Sequence, residues 1–576
     1  MRRGTNLVAA AVTLACVVSL GACAQIPTSG PVRVGTEDVE TQVDIAMLPQ
    51  GPSLGADPNA IVLGFLGAAV AATTSPKEFQ TAREFLTDEA VDTWDPEASV
   101  RVVREPPVPE PTETTAELGD ADTVEIAVQA TAIATLDSAG AYTEVGDPRK
   151  LDYRFTLTRA GGEWRISALD NGVLVPANLF ANQYRATRLF FPAEGDIESL
   201  VPDLRWFPRQ EWRRMAVEEL LAGPPEWLQG ATQSLVPEGT QLASPSISDT
   251  DDGEPVAVRL SEQISAVSAD HRAVITEQIS ATLSEGAGRP VSVDLFSETN
   301  RLGVEETDVD LPATTAPAMA LKDGRLYLIE DGRAVEHELP VDLSGIDPTA
   351  LAVSPVTTPI VVRDGTDQIV SISSDGQSEP VPILQGPDLA APSIDNLGTT
   401  WTSGGVGELK VYTTALEEFT VEPDWLKGRK VVSVSVAPEG SRIAIVSKTP
   451  TGTQVQVAGI VRDNQGTPVD LAKTPLAVGA PVGDVVEARW SGLTTLALLT
   501  RDDEGTSGVW TAGVGGSTGA GGQSRQLPGL TDVEQIAAGV TDEGILVVTK
   551  DGDLEHEETG VWQPVTEDVD LVAYPG

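Results

Sequence analysis

From about Thr314 to its last residue the chain keeps a beat. Strand-like segments begin near Ala350, Pro392, Val434, Glu487 and Gln535, roughly 41 to 53 residues apart, which suits a propeller blade better than a sandwich strand. The two ends of this region also match each other. KDGRLYLIEDG at Lys322 and KDGDLEHEETG at Lys550 align without a gap, and further on Asp342-Leu343 matches Asp570-Leu571. A closed toroid sets its first and last blades side by side, so matching ends favour a ring. The reading is an all-β propeller of five or six blades over residues 314–576, with no convincing helix.

The opposite end reads as an export signal. Met1-Arg2-Arg3 is followed by a run from Leu7 to Leu20 that is apolar apart from Thr13 and Ser19. At about 14 residues the run suits a signal h-region, since a helix spanning the hydrocarbon core needs roughly 20. Leu20-Gly21-Ala22-Cys23 resembles a bacterial lipobox, in which signal peptidase cuts just before a lipid-bearing cysteine. The resemblance implies that residues 1–22 leave and that Cys23 becomes the first mature residue, carrying S-diacylglycerol and N-palmitoyl groups. An ordinary signal peptide with a chance cysteine, or an uncleaved anchor, are the competing readings. Two cysteines in 576 residues suggest one disulfide, yet processing would remove Cys16 and occupy Cys23, leaving none.

The length suggests three or four domains. A formal net charge of −48, from 86 acidic against 38 basic residues, repels nucleic acid and anionic lipid surfaces. No nucleic-acid partner is expected, and a lipid tether with more than one acyl chain would hold such a chain at a membrane despite the repulsion. Residues 23–56, rich in proline and glycine, read as an extended linker. Beyond them three folded bodies follow in series.

The first covers residues 57–180. Asp57-Pro58 is a helix start leading into NAIVLGFLGAAVAATTS, with a second helix in KEFQTAREFLTDEAVDTW. Alternating strands follow in TVEIAVQATAIATL, DYRFTLTRAG and EWRISALDN, the last two joined at Gly161-Gly162. This α+β layout, ending in GGEWRIS, resembles the NTF2-like cone domains of surface lipoproteins. The second body, 181–305, reads as strand (ATRLFF), helix (PRQEWRRMAVEELLAGPP), strands (SLVPEGTQLASPSIS and PVAVRLS), helix (SADHRAVITEQISATLSEG) and strand (PVSVDLFS). Its AVEELLAGPP, LVPEGTQL and LSEQIS are similar to a GerMN domain, a small α/β module.

Candidate chemistry is sparse. Gly515 to Gly519, GGSTG, fits the serine-hydrolase elbow in letters, but lies in a Gly/Ser tract with no following helix and reads as a flexible blade loop. Of three histidines, His271 shares a helical stripe with Ile275 and Ile279 and reads as a boundary packing residue. His337 and His556 sit between acids on strands, where neighbours point to opposite faces, so neither triplet chelates alone. Asp249, Asp251, Asp252 and Glu254 miss the calcium-loop spacing, because Gly253 comes one position early. No cofactor motif, metal array or catalytic set is present, and no enzymatic activity is expected.

One cluster resists the general acidity: Arg185, Arg188, Arg205, Arg209, Arg213 and Arg214 with Trp206, Phe207 and Trp212. Arginine beside tryptophan is the composition of interface hot spots, so Arg205, Trp206, Arg209, Trp212 and Arg213 are the candidate partner-binding face. The competing reading puts Trp206 and Phe207 in the core and pairs the arginines with Glu194, Asp196, Glu198 and Asp203.

Lipobox, NTF2-like unit, GerMN unit and propeller, in that order, resemble the LpqB lipoproteins of actinobacteria. The resemblance implies a non-enzymatic lipoprotein, lipid-anchored at the extracytoplasmic face of the cell membrane. It would contact the extracytoplasmic part of the Mtr two-component sensor kinase and influence cell wall metabolism and division. The alternative is a peptidoglycan or glycan binder, with Trp401, Trp490, Trp510 and Trp562 stacking on sugars; Trp401 and Trp490 lie in strand-like, core contexts.

Overall fold

Helix α1 (Pro58–Ala72) starts where Asp57 sets it. The Asp57 carboxylate accepts the Ala60 N–H at 2.9 Å, and Pro58 takes the first turn, where a missing N–H costs nothing. A computed structural model describes residues 50–575 except 73–78, 110–121, 147, 149, 249–253, 306, 308, 312–315, 331, 337–342, 355–359, 374–377, 480–482, 518–520 and 541–543. The expected second helix is two short ones, α2 (Gln80–Arg83) and α3 (Asp88–Thr93). Between them the chain turns to cover a sheet edge: Ile166 N–H donates to Phe85 O and Thr87 N–H to Ile166 O, both at 2.9 Å. Thr87 then caps α3.

That sheet runs β4-β3-β2-β1-β5, from β1 (Ser99–Val103), β2 (Thr123–Asp137), β3 (Lys150–Ala160), β4 (Glu163–Ala168) and β5 (Val173–Pro176). Neighbours are antiparallel except β1 and β5. Along β2 the residues Ile126, Val128 and Ala130 are buried while Glu125 and Gln129 are exposed, the alternation of a strand with one covered face. Phe65 of α1 meets Trp94 edge-on at 5.1 Å in the core beneath. A short strand, Tyr142–Glu144, folds back on the end of β2.

Helix α4 (Ala177–Gln183) leads into the middle domain. Its hairpin pairs β6 (Tyr184–Ala193) with β7 (Asp196–Pro208), and β7 has no counterpart in the sequence reading. Pro202 and the flanking acids hide it, yet a two-stranded hairpin has a free edge that tolerates proline. Leu200 to Phe207 are all buried, so both faces of β7 are covered. Helix α5 (Trp212–Ala222) stops at Gly223, whose φ of 95° suits only glycine. Strand β8 (Val256–Leu260), helix α6 (Ala269–Ala287) and strand β9 (Val293–Ser297) form a parallel crossover. Residues 234–248, read as a strand, form none and make only an isolated bridge between Leu242 and Leu260; Pro237 and Pro245 deny the segment two of its ladder donors.

The described residues of the C-terminal region form six sheets, one to a blade. Blades 2 to 6 open with Pro348–Val353, Ser393–Ile394, Val431–Val436, Asp484–Gly492 and Val533–Ala538. Blade 1 combines Ala318–Lys322, Arg325–Glu330 and Arg333–Glu336 with the last strand of the chain, Leu571–Ala573. First and last blades pack together, with Ala318 and Ile329 against Leu546, Val548 and Leu554.

Side chains staple the inner strands around the axis. Ser393 Oγ accepts Val436 N–H at 3.0 Å and Trp490 Nε1–H donates to Ser435 O at 3.1 Å. Glu487 accepts Ile536 N–H at 3.1 Å, and Gln535 holds both the O and the N–H of Val572 at 3.0 and 3.1 Å. Arg363 reaches from blade 2 to Leu389 O, ahead of blade 3, at 3.1 Å.

The domains do not hang separately on a tether. One continuous core contains Leu189, Phe191, Val201, Phe207 and Leu228 of the middle domain and Ala444, Val457, Trp490, Leu498 and Ala512 of blades 4 and 5. Gly459 lets the two backbones meet: a Cβ there would lie 3.2 Å from Leu228 Cα. The described residues belong to one compact unit.

Candidate functional site

The five residues of the expected binding face do not share a surface. Trp206 and Trp212 are 4% and 3% exposed, and Arg205 is 6% exposed. Of the five only Arg209 is exposed, with Arg213 intermediate. The corrected picture is a core cluster. Two guanidinium groups lie over the Trp212 ring, Arg185 at 5.3 Å and Arg213 at 4.7 Å from its centroid. Arg205 pairs with Asp203 at 2.6 Å, while Arg214 turns to Glu211 and Glu218. Strand β7 is covered on both faces, and that decides against an open hot spot.

What β7 builds instead is a junction of all three domains. Trp206 Nε1–H donates to Gly515 O of the propeller at 2.9 Å, and Trp206 N–H donates to Gly140 O of the N-terminal domain at 2.9 Å. Arg205 also donates to Ala139 O at 3.1 Å. Tyr142 lies 5.8 Å from the Trp206 ring, centroid to centroid. Burial drives the Tyr142 hydroxyl well above its usual range, with Glu144 adding to it, and its Oη finds no hydrogen-bond partner among the described residues.

Of the GGSTG tract, Gly515, Gly516 and Ser517 are described while Thr518 and Gly519 lie outside the described residues, and the described glycines on either side, Gly516 and Gly522, close this junction. Gly516 sits where a Cβ would come within 2.9 Å of both Trp206 and Tyr142, and at Gly522 a Cβ would meet the Tyr142 ring at 2.4 Å. Glycine is required by contact with aromatic rings, not by a nucleophile turn. Beside it Glu144 accepts Ser524 N–H at 3.1 Å and Ser524 Oγ–H at 2.6 Å. Burial raises the Glu144 carboxyl pKa, and the bonds from Ser524 only partly oppose this.

A second buried pair ties the middle domain to blade 4. Arg442, with no exposure, pairs with Glu439, donates to Pro202 O at 3.2 Å and stacks 4.5 Å from the Trp490 ring. Neither this pair nor Tyr142 and Glu144 was singled out in the sequence; the only available signal was the close spacing of glycines from Gly515 to Gly522.

The other candidates disperse. His271 is exposed in the first turn of α6 rather than packed: its place at the helix start puts it beyond the stripe that buries Ile275 and Ile279. His337, Asp249, Asp251 and Asp252 lie outside the described residues, as does Cys23; His556 is half-buried. Among the described residues no group of three or more His, Cys, Asp or Glu is placed to hold a metal ion. No described helix is long and apolar enough to cross a membrane. Trp401 and Trp490 are buried, which removes them as sugar platforms. A groove of about 880 Å³ between the N-terminal domain and blades 4 and 5 is lined by Glu144, Thr453, Gln454, Asp484 and Asp502. No aromatic ring is among its described lining residues.

Three family models match the chain in succession. They are described as the lipoprotein LpqB N-terminal domain at residues 51–181, sporulation and spore germination at 188–295, and the lipoprotein LpqB beta-propeller domain at 324–575. The relatives include proteins named lipoprotein LpqB. That of Streptomyces avermitilis is 27% identical, covering 97% of this chain and 96% of its own. That of Bifidobacterium longum is also 27% identical, over 83% of each chain, and that of Cutibacterium acnes is 24% identical over 98% of each. The family these names describe is one of lipoproteins, not of enzymes.

Proposed function

Because the chain belongs to the LpqB lipoprotein family, we propose that it is a non-enzymatic accessory binding protein of the Mtr two-component sensor kinase. Family membership makes it a membrane-anchored envelope lipoprotein. In the proposed arrangement Cys23 carries the lipid, the chain lies at the extracytoplasmic face, and it meets the kinase's extracytoplasmic part there. Its binding adjusts signalling and thereby wall metabolism and division.

The observation that supports this reading best is the shared core of the middle domain and the propeller, locked to the N-terminal domain at Trp206. Domains already packed on one another lose less freedom on docking than separate ones would, so weak contacts suffice once a tether raises local concentration. The glycan reading loses two of its four rings, with Trp401 and Trp490 in the core, while Trp510 and Trp562 are half-buried in blades 5 and 6. The test is capture by the immobilised full chain, offered the kinase ectodomain and purified peptidoglycan side by side. Retention of the ectodomain supports the proposal; strong retention of glycan with no ectodomain bound overturns it.

A further inference from the structure

A small cavity lies on the propeller axis, and every blade lines it from its innermost strand: Ala573 of blade 1, then Ala352, Ser393, Ser435, Arg489 and Ala538. Its volume is about 40 Å³, room for a few water-sized groups and far below the roughly 300 Å³ that an organic ligand needs. Of the 86 acidic residues in the chain none is among its described lining residues, and Arg489 is the one charged group there. Hydrogen-bond donors gather around it instead. Ser393 is 6% exposed, and its Oγ accepts the Val436 N–H at 3.0 Å, which leaves its own proton to donate. Ser435 is 4% exposed, and its hydroxyl has no partner among the described residues. One rung away on the same face Ser433 accepts the Ala488 N–H at 3.3 Å, but no matching bond joins the Ser435 hydroxyl to the Trp490 N–H. Strand alternation sets the N–H groups of Trp490 and Ala538 on the same inner edge as those of Ala488 and Ile536, which Ser433 and Glu487 hold.

Charge on the axis is also unbalanced. Arg489 gives one nitrogen to Glu487 at 2.7 Å and another to Val434 O at 3.0 Å. Glu487 is shared in turn with the Ile536 N–H. Arg363 of blade 2 is near enough for both Glu487 and Arg489 to act on it, yet it forms no ion pair among the described residues and donates only to Thr349 and to Leu389 O. Two guanidinium groups thus share one carboxylate.

We propose that the axial cavity binds a small inorganic anion of chloride size, held by Arg489 and the hydroxyls of Ser393 and Ser435. A buried hydroxyl without an acceptor weakens the fold, and an anion in the cavity accepts its proton. Water would accept the same proton but leave the excess positive charge unanswered; an anion answers both, and in a site shielded from solvent that attraction is strong. A metal cation is disfavoured, since the described lining offers it a guanidinium and no carboxylate. Once bound, the anion bridges blades 3, 4 and 5 and tightens the ring by linkage. The site goes beyond the kinase reading and does not depend on it.

Chloride is the probe. The full chain is titrated with it while gluconate, too large for the cavity, holds the ionic strength constant, and the broadening of the chloride magnetic-resonance line is followed. Saturable broadening is expected, reduced several-fold by Arg489→Gln and by the double variant Ser393→Ala, Ser435→Ala. Crystals grown in bromide should show an anomalous scatterer within hydrogen-bond distance of Arg489 and Ser435. No saturable broadening by the unaltered chain would mean a cavity that holds water alone and would overturn the proposal, whether or not the variants fold. Full broadening by the folded double-alanine chain, or bromide found only at the surface, would do the same.

Discussion

Gly516 and Gly522 set how closely the propeller can approach the N-terminal domain. Both have positive φ, 98° and 97°, and both face the Tyr142 ring. Gly516→Val should therefore cost about 1–3 kcal/mol through overpacking alone, read as a lowered denaturation midpoint; an unchanged midpoint would mean the tract does not press on the rings. The buried pair Arg442 and Glu439 gives a second expectation. Arg442→Ala leaves a carboxylate buried without its partner and should cost about 3–5 kcal/mol, while Arg442→Met together with Glu439→Leu should cost far less. Equal losses in the single and double variants would show that the guanidinium acts through packing on Trp490, not through charge.

Among the elements, closure of the ring rests on a short strand, Leu571–Ala573, held in blade 1 and clasped from blade 6 by Gln535. Gln535→Ala strands the N–H and the O of Val572, each largely shielded from water, and should cost about 1–3 kcal/mol. The loss should appear first as faster hydrogen exchange in the last strand, before the middle blades respond. Blade spacing was legible because each blade carries its own turns and alternation, and the match between Lys322 and Lys550 pointed correctly to adjacent ends. Strand β7 was not legible. Its burial on both faces erases alternation, and Pro202 argues against a strand until the free edge of a two-stranded hairpin is known. The split between α2 and α3 also depends on a distant partner, Ile166, which no local pattern near Leu86 announces. The junction was missed for the same reason: Trp206 and Gly516 were noted only separately and Tyr142 not at all, because the three are far apart in sequence and meet only through the fold.

At the scale of the molecule, three domains that read as beads in series form one body. Heating should then unfold the middle domain and the propeller in a single calorimetric transition, because their core is shared; two well-separated transitions assigned to these domains would contradict it. The kinase proposal is most directly tested by crosslinking in intact cells, with the full chain on its lipid anchor, followed by identification of the captured partner. The expected result is the Mtr sensor kinase, captured by the chain bearing Cys23 and lost with Cys23→Ser, which should be released or remain unprocessed. A membrane-retained, folded chain that crosslinks other envelope components and never the kinase would contradict the account.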